Sequence, residues 1–452
     1  MIRVERGDDF ILDLIDTPEF QRLRRVRQLG VSWLTYPGAE HSRFVHSLGV
    51  FNFAQRILEV LIRRYEGNKV ATYLNEHSRI AKAAALLHDI GHGPFSHMIE
   101  RAFGKKSSHE ARTVEIIKDE DSDVGRVLRN HEVDPASVAD LIQHTSPHTL
   151  LTDLVTSQLD ADRMDYLLRD SHATGVQYGH YDAEWLLNAM CIGRNPQDTA
   201  SDEEHRRWRL ALDERRGIKA AEQFILARAH MNEQVYFHRV TRGFEALLLN
   251  IFRLAASAAK ADKLPTETPT VVKRYFASEG QIEAKDWLRF DESMIFSALH
   301  VWADQTSGND ALPRLSSAFL HRERVYQSAL IPNDFSPMRT PELYDRLTEV
   351  GLQKGVNWSP DDAKSAAYKD IHYTMNSARG SEEETRIESI LLSSGKPSSG
   401  ARLIESSSDL LKHLAGQRQS FVRIYFDRSM RSEAEVVLKE FKLSIESPGA
   451  NE

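Results

Sequence analysis

A mostly apolar segment, residues 80–87, in which Lys82 is the only charged residue, runs directly into an imidazole and a carboxylate, His88 and Asp89. The segment is typical of a buried helix, and the Gly-His-Gly-Pro run that follows at 91–94 contains residues that end helices. Polar groups at the end of a buried helix are costly unless they are bonded to a partner. A divalent cation is such a partner, and the negative end of the helix dipole favours a cation there. The segment therefore predicts a helical fold that carries a metal site.

The spacing of apolar residues predicts a mainly α fold, because helical periodicity continues through most of the first 260 residues. The predicted helices cover 47–65, 78–90, 110–118, 135–144, 154–169, 216–236, 243–259, 291–304, 312–329 and 431–442. Strands are predicted for a hairpin, 189–193 with 207–212, and for 420–427. A linker is predicted at 258–270 and a mobile Ser/Gly/Glu/Lys-rich segment at 380–400. We expect a helical bundle at 1–258 and a smaller mixed α/β lobe at 259–452.

The composition limits the class of protein. The 452 residues carry a formal charge of −8, which argues against a dedicated nucleic-acid binder but leaves a local basic pocket open. One cysteine, Cys191, excludes an intramolecular disulfide framework and a cysteine-based zinc cluster, and it fits the reducing cytoplasm. No apolar stretch approaches the ~18 residues of a membrane span, and the N-terminus has no apolar signal core. We therefore expect a cytoplasmic protein with no membrane segment.

Histidines cluster where chemistry is expected, since seven of the nineteen lie between His41 and His109. Two of these imidazoles combine with two carboxylates into a mixed nitrogen and oxygen set: His46, His88, Asp89 and Asp162. Such a set suits Mg, Mn, Fe, Ni or Zn better than it suits a metal that selects thiolate ligands. A His-Asp dipeptide alone describes a satisfied core histidine equally well, so the prediction rests on the combination.

A second amphipathic segment, 158–170, contributes to this set. Read as a helix, it places Asp162, Tyr166 and Asp170 on one face, because residues four apart stack. Met164, Leu167 and Leu168 fall on the opposite, apolar face. Two carboxylates and a phenol on one side of a helix face either solvent or a site, and the segment alone does not decide between them.

Six ordered motifs connect these pieces. They are Ile-Asp-Thr-Pro-Glu-Phe-Gln-Arg-Leu-Arg (15–24), Gln-Leu-Gly (28–30), Tyr-Pro-Gly-Ala (36–39), Arg-Phe-Val-His-Ser-Leu-Gly-Val (43–50), His-Asp-Ile-Gly-His-Gly-Pro-Phe-Ser-His (88–97) and Asp-Arg-Met-Asp-Tyr (162–166). The pattern resembles the HD superfamily of metal-dependent phosphohydrolases. The residues of the six motifs are most similar to the deoxynucleoside triphosphate triphosphohydrolase branch of that superfamily. The resemblance is dense over 10–182, patchier to 250 and faint beyond. It implies that the helical bundle is an HD domain.

The resemblance also implies roles at matching positions. The ligands of one divalent metal ion would be His46, His88, Asp89 and Asp162. The groups beside the α-phosphate would be His92, His97, His109 and Glu110, with His97 and His109 as candidate proton donors. The phosphates would be held by Arg43, Arg163, Tyr166 and Arg228. The sugar 3′ hydroxyl would be bound by Gln28 and Asp170, while the space for a ribose 2′ hydroxyl would be closed by Leu29 and Tyr236.

The chain departs from the family pattern in three places. Arg163 stands where the vertebrate enzyme has lysine, and Phe237 stands where it has a glutamine near the base, so base preference does not transfer. The residues before Asp9 do not match the family's activating segment, although Asp16, Gln21 and Arg24 match part of its regulatory nucleotide site. Activation by GTP or a dNTP therefore stays open. The resemblance further implies a homo-oligomer, a dimer or a tetramer.

The function implied by the resemblance is hydrolysis of dNTPs to deoxynucleoside and inorganic triphosphate. Two alternatives stay open. One is an HD phosphohydrolase or phosphodiesterase acting on another nucleotide or on single-stranded nucleic acid. The other, of a different class, is a nucleotide-sensing or nucleic-acid-binding protein.

Overall fold

The computed structural model describes residues 4, 7–95, 97–103, 108–194, 204–305, 311–366, 389–415 and 418–446. Helices dominate the described residues, as the sequence predicts. The helices are α1 (Asp9–Ile15), α2 (Pro18–Arg22), α3 (Arg43–Arg64), α4 (Lys69–Leu87), α5 (His97–Phe103), α6 (His109–Lys118), α7 (Asp123–Asn130), α8 (Pro135–Ile142), α9 (Thr149–Val155), α10 (Ala161–Thr174), α11 (Ala183–Ala189), α12 (Gly217–Met231), α13 (Arg239–Lys260), α14 (Thr270–Ala277), α15 (Ala284–Trp287), α16 (Glu292–Ala303), α17 (Ala311–Leu320), α18 (Thr340–Glu349), α19 (Asp409–Ala415) and α20 (Arg431–Glu440).

Two small sheets accompany the helices. Their strands are β1 (Met190–Arg194), β2 (Trp208–Asp213), β3 (Tyr326–Leu330), β4 (Trp358–Ala366), β5 (Leu391–Ser393), β6 (Arg402–Leu403) and β7 (Arg418–Asp427). The first sheet has the order β1-β2-β5-β6, with β1 antiparallel to β2 and β2 parallel to β5. The second has the order β3-β7-β4 and is antiparallel throughout. The predicted hairpin and the predicted strand at 420–427 are confirmed, while the turn of the hairpin lies outside the described residues.

The packing of α3 against α4 and α10 sets the geometry of the bundle. Alanines 81 and 83–85 on α4 are fully buried, and such small side chains let neighbouring helices approach closely. Gly49 on α3 faces α10 so closely that a Cβ there would lie 1.8 Å from the Asp165 carboxylate. Gly49 therefore lets α3 and α10 place their polar residues within contact distance.

The main core is continuous from Phe10 to Tyr425, so helices on both sides of the predicted boundary at residue 258 share it. A separate small core, which includes Trp358, Ile424 and Phe426, lies beneath the β3-β7-β4 sheet. The residues from 326 to 366 and from 418 to 446 that surround this small core are here called the C-terminal lobe. The division of the chain at residue 258 stays a prediction.

Three secondary-structure predictions are corrected. The segment 154–169 is two helices, because Asp160 caps α10 by accepting a hydrogen bond from Arg163 N at 2.7 Å. The helix predicted at 312–329 ends at Leu320, where Arg322 has a φ of 55°, and the chain then enters β3 to pair with β7. In the segment predicted to be mobile, 391–393 form β5 beside β2, while 380–388 lie outside the described residues. Sequence patterns miss such strands because their partners are distant in the chain.

The predicted helix 216–236 is also not uniform. Its α-helical part ends at Met231, and a π-helical turn, Asn232–Tyr236, follows. Such a turn changes the register of the side chains, so Arg228 and Tyr236 do not share a face through simple helical spacing. The predicted linker at 258–270 is an extension of α13 to Lys260 followed by short turns.

Candidate functional site

His46 lies in the first turns of α3 and is buried. Its Nδ1 is 2.9 Å from Asp165 Oδ2 on α10, and its Nε2 is 3.0 Å from Asp162 Oδ1 and 3.7 Å from Asp89 Oδ2. The hydrogen bond to Asp165 orients the ring and directs Nε2 toward the other carboxylates. Burial opposes a charge on the ring, but Asp162 and Asp165 together raise the pKa of His46 to about 10. A cation that binds Nε2 therefore displaces a proton.

His88 caps the C-terminus of α4 and reaches the same point. Its Nδ1 bonds to the carbonyl of Ala85 at 2.9 Å, which again leaves Nε2 directed away from its own helix. Nε2 lies 3.4 Å from Asp89 Oδ1 and 3.7 Å from Asp162 Oδ1, and the His46 and His88 rings are 5.3 Å apart.

These groups form a set that fits a divalent cation. Donor atoms of His46, His88 and Asp162 lie within 4.8 Å of one another. Both Nε2 atoms are buried and neither makes a well-aligned hydrogen bond, although His46 Nε2 lies close to Asp162; such an arrangement is costly unless another group occupies the space between them. Two imidazoles held through Nδ1 by a carboxylate and a carbonyl are also the usual arrangement around a protein metal. The structure thus brings together the residues predicted as ligands.

The carboxyl of Asp89 is surrounded by basic side chains. Burial disfavours its ionisation, but Arg43, His88 and His92 hold the pKa of its carboxyl well below the usual range. Arg43 donates directly to Asp89 Oδ2, and both side chains are buried. The neighbouring positive groups therefore favour the ionised form of Asp89.

A cluster of three histidines lies beside this set. The rings of His92 and His109 are stacked at 3.8 Å, and His97 lies 5.4 and 5.5 Å from them. Glu100 on α5 joins two of the rings, because it is 2.7 Å from His109 Nδ1 and 3.3 Å from His97 Nδ1. Burial opposes charge on His109, yet Glu100 raises its pKa. Burial and the charges of Arg43 and His109 keep the pKa of His92 well below its ordinary value. The two stacked rings are therefore biased in opposite directions, His109 toward the protonated form and His92 toward the neutral form.

Glu110 is not part of this cluster. It follows His109 on α6 but is exposed and does not line the cavity described below. The carboxylate that contacts the histidines is Glu100. Glu100 lies three residues after His97 in the sequence, and we did not predict it. Gly91 allows this arrangement, since a Cβ there would lie 2.3 Å from the backbone of His109 and Thr113 on α6.

The predicted sugar-binding residues also meet. Asp170 on α10 is buried, and its two carboxylate oxygens are 2.7 Å from His41 Nε2 and 2.8 Å from the Tyr236 hydroxyl, which donates. The side-chain oxygen of Gln28 is buried without a hydrogen-bond partner. Asp170 and Gln28 lie with Leu29 and Tyr236 in the wall of one cavity. His41, the first of the histidines clustered between 41 and 109, is a further residue we did not predict.

The predicted phosphate-binding residues divide into two groups. Arg43 and Tyr166 line the cavity, whereas Arg163 and Arg228 are not among its lining residues. Arg163 is bonded to Asp160, and Arg228 donates to Gln158 Oε1 at 2.9 Å. The structure thus brings two of the four to the cavity surface.

The residues predicted for a regulatory nucleotide lie apart from this site. Arg24 Nε donates to Gln21 Oε1 at 2.8 Å, while Asp16 is exposed at the end of α1. Arg24 lines a separate small cavity of about 290 Å³ together with Arg25 and Arg27. Its role stays a prediction.

A single cavity of about 940 Å³ unites the main site. The predicted residues that line it are Gln28, Leu29, Arg43, His46, Asp89, His92, His97, His109, Asp162, Tyr166, Asp170 and Tyr236. Charged residues that we did not predict line it too: Arg101, Arg242, Glu245, Arg253 and Lys354. No local sequence pattern predicts these five residues as a group. They lie on α5, on α13 and in the C-terminal lobe, and only the fold brings them together.

Comparisons with known proteins agree with this geometry. The HD domain model matches residues 43–170, and the model of an HD associated region matches residues 204–266. The chain is 34% identical over 425 residues to the uncharacterized protein YwfO of Bacillus subtilis, covering 94% of this chain and 89% of that protein. It is 23% identical over 461 residues to the deoxynucleoside triphosphate triphosphohydrolase SAMHD1 of Gallus gallus, covering 92% of this chain and 69% of that protein.

Solved structures give the same result. A phosphohydrolase from Bacteroides thetaiotaomicron matches with a TM-score of 0.70 at 25% identity, covering 92% of this chain and 95% of that chain. A hypothetical protein from Aquifex aeolicus matches with a TM-score of 0.69 at 26% identity, covering 97% and 96%. The chain belongs to the HD-domain phosphohydrolase family. Within the described residues, no helix combines the length and apolar character needed to cross a membrane.

Proposed function

We propose that this protein is a metal-dependent hydrolase that converts dNTPs to deoxynucleoside and inorganic triphosphate. The observation that carries the proposal is the common cavity, which holds the candidate metal ligands, the histidine cluster and the Asp170 group. A metal set alone fits any HD phosphohydrolase. The Asp170 group adds donors and acceptors suited to a sugar hydroxyl, and the likeness to SAMHD1 supports a dNTP as the nucleotide.

The metal would be held by His46, His88, Asp89 and Asp162. When bound, a divalent cation there would supply charge for a phosphoryl oxygen and activate water near neutral pH. Asp165 and the Ala85 carbonyl orient the two imidazoles, so the protein prepares the ligand geometry before the cation binds.

The proton for the departing 5′ oxygen would come from His97 or His109. Glu100 contacts both rings, and it favours the protonated form of His109. An imidazolium maintained near neutral pH is suited to donate a proton to an alkoxide leaving group. His92, kept neutral by burial and neighbouring positive charge, would instead contact the phosphate.

The sugar would be selected by Asp170, Gln28, Leu29 and Tyr236. The Tyr236 hydroxyl has a single hydrogen, and it already donates that hydrogen to Asp170. A ribose 2′ hydroxyl directed at Leu29 and the Tyr236 ring would lose hydrogen bonds to water without gaining new ones. This arrangement favours deoxyribose.

The phosphates would be held by Arg43 and Tyr166 at the cavity surface. Arg163 and Arg228 would join them by exchanging their bonds to Asp160 and Gln158 for bonds to phosphate oxygens. Neutralisation of phosphate charge in a site that excludes water is a large part of the catalysis of phosphoryl transfer. A homo-oligomer and activation by GTP or a dNTP, which the family resemblance of the sequence implies, also belong to the proposal.

The experiment is turnover of each dNTP and each ribonucleotide by the metal-loaded protein, with and without GTP, followed by identification of the products. Formation of deoxynucleoside plus triphosphate is expected. Release of single phosphates, or an absence of turnover with Mg, Mn, Fe, Ni and Zn, would overturn the proposal. His88→Ala and Asp89→Ala are each expected to abolish metal retention, and His131→Ala, remote from the cavity, is the control.

A second candidate function is hydrolysis of phosphodiesters in short single-stranded nucleic acids. It is favoured by Arg253 and Lys354, two further cationic side chains that line the cavity. Additional cations suit a substrate with more phosphates than one nucleotide carries. Incubation with a single-stranded oligonucleotide under the same conditions separates the candidates, because only this second function releases shortened products.

A further inference from the structure

Asp361 connects the C-terminal lobe to the wall of the main cavity. It lies on β4 and is 3% exposed. Arg242 on α13 bonds to both of its carboxylate oxygens, with Nε 2.8 Å from Oδ2, and Arg101 Nη2 on α5 donates to Oδ1 at 3.2 Å. Glu245 completes the network, because it pairs with Arg242 and lies 3.8 Å from Arg101. One carboxylate thus joins three elements of the fold.

The element that depends on this junction is α5. Its seven residues are too few for a stable isolated helix, since helices shorter than about 12 residues are marginal without tertiary contacts. α5 nevertheless carries His97 and Glu100, the groups that form the proton-donating side of the site. Arg101 is four residues after His97 and so lies on the same side of the helix. A contact that holds Arg101 therefore fixes the direction of His97.

The C-terminal lobe takes part in the site in other ways as well. Lys354 and Pro360 of this lobe line the main cavity. Arg423 lies opposite Asp361 in the register of β7 and β4. It donates to the carbonyl of Phe237 at 3.3 Å, and Phe237 also lines the cavity. The lobe has its own small core, so it presents these residues from a rigid support.

We propose that Asp361 is a positioning residue for the catalytic cavity: through Arg101 and Arg242 it fixes α5 and the first turns of α13. In this role the C-terminal lobe completes the active site rather than covering it. Only the kinetic part of the inference rests on the proposed function, because the position of α5 is measurable without a substrate.

The test compares wild-type full-length protein with Asp361→Asn, which keeps the shape of the side chain but removes its charge. Hydrogen–deuterium exchange of the amides at 97–103 is measured first, and exchange faster than in the wild type is expected. Steady-state hydrolysis is then measured per bound metal on whichever nucleotide the wild type cleaves. A fall in kcat of roughly 10- to 100-fold is expected, since misplacement of a reacting group by about 1 Å has an effect of this order. KM and metal content are expected to change little.

Asp427→Asn is the matched control. Asp427 lies in the same lobe, is equally buried and pairs with Arg314 at 3.0 Å, but it contacts neither α5 nor the cavity. A general weakening of the lobe would affect both variants alike. If Asp361→Asn fails to fold, Arg101→Gln removes the arm from Asp361 to α5, together with the weaker contact to Glu245, at a partly exposed position and is expected to give the same pattern in hydrogen–deuterium exchange at 97–103.

Three results would overturn the inference. One is exchange at 97–103 that is the same in Asp361→Asn and wild type. Another is an equal loss of kcat in Asp361→Asn and Asp427→Asn. The third is a rise in KM with kcat unchanged. If no dNTP is hydrolysed but another nucleotide is, the proposed function fails while the exchange and kcat measurements still decide the role of Asp361.

Discussion

The imidazole Nδ1 of His46 lies 2.9 Å from the Asp165 carboxylate, and this contact orients a buried histidine toward the candidate metal set. Asp165 belongs to α10 and His46 to α3, so the contact joins the two helices that carry opposite sides of the site. Asp165 is not among the predicted ligands and follows Asp162 by three residues on α10. Its contact with His46 leads to the first prediction.

Asp165→Asn is expected to weaken metal binding by about 10- to 100-fold, because the loss of such an outer partner releases the orientation of the ligand. The measurement is the dissociation constant of Mn²⁺ by titration calorimetry. Asp153→Asn, which removes a buried carboxylate from Arg209 far from the cavity, is the control and is expected to bind Mn²⁺ as the wild type does. Equal affinities in all three proteins would contradict the prediction.

Glu100→Gln is expected to move the alkaline limb of the pH–rate profile to lower pH. Burial opposes the charge on His109, and Glu100 more than compensates and raises the pKa of His109. A proton donor is lost as the pH rises through its pKa, so a lowered pKa brings the loss of activity to lower pH.

The profile of kcat/KM between pH 5 and pH 10, a range of about five units around the ordinary histidine value, measures this effect. Glu115→Gln is the control. Glu115 is exposed and lies on α6, the helix that carries His109, so this change is expected to leave the pH–rate profile in place. An alkaline limb that stays fixed in Glu100→Gln would show that His109 does not donate the proton.

Leu29→Gly is expected to relax the exclusion of ribonucleotides. Removal of an apolar side chain from the cavity wall makes room for a 2′ hydroxyl and the water that solvates it. The ratio of kcat/KM for a dNTP to that for the matching ribonucleotide is expected to fall by about tenfold or more. An unchanged ratio would contradict the role of this wall, whereas loss of all activity would require the less disruptive Leu29→Ala.

Arg22→Met is expected to destabilise the protein by about 3 kcal/mol, because it leaves buried carbonyl groups without donors. Arg22 is buried, and its guanidinium donates to the carbonyl of His92 at 2.8 Å and to that of Phe290 at 3.0 and 2.6 Å. It thereby holds the loop after His88 against the segment before α16.

Chemical denaturation measures this effect. Arg126→Met, at an exposed helical pair with Asp123, is expected to change the free energy of unfolding by less than about 1 kcal/mol. Similar losses in both variants would show that the carbonyl contacts of Arg22 contribute little.

Much of the site followed from local sequence. The run at 88–97 predicted the end of a helix beside a metal set, and His88 indeed caps α4. The helical face of Asp162, Tyr166 and Asp170 was also predictable, because residues four apart share a face and all three line the cavity. These features depend on neighbours along one helix, and sequence spacing determines those neighbours.

Contacts between distant segments were not predictable in the same way. Glu100 takes the place expected for Glu110, since the angle between α5 and α6 decides which carboxylate meets His109. The π-helical turn before Phe237 and the strand at 326–330 likewise depend on partners far along the chain. Such choices follow from packing and pairing energies that local patterns do not contain.

The sequence by itself thus determined a mainly helical chain, the histidine and aspartate ligand set and the family to which they point. Only the tertiary structure decided that His46, His88 and Asp162 lie within 4.8 Å of one another, and that Asp361 of the C-terminal lobe joins α5 to the cavity wall. The physical reason is range. Helical spacing and capping act over a few residues, whereas the site is assembled by close packing and buried ion pairs between segments hundreds of residues apart.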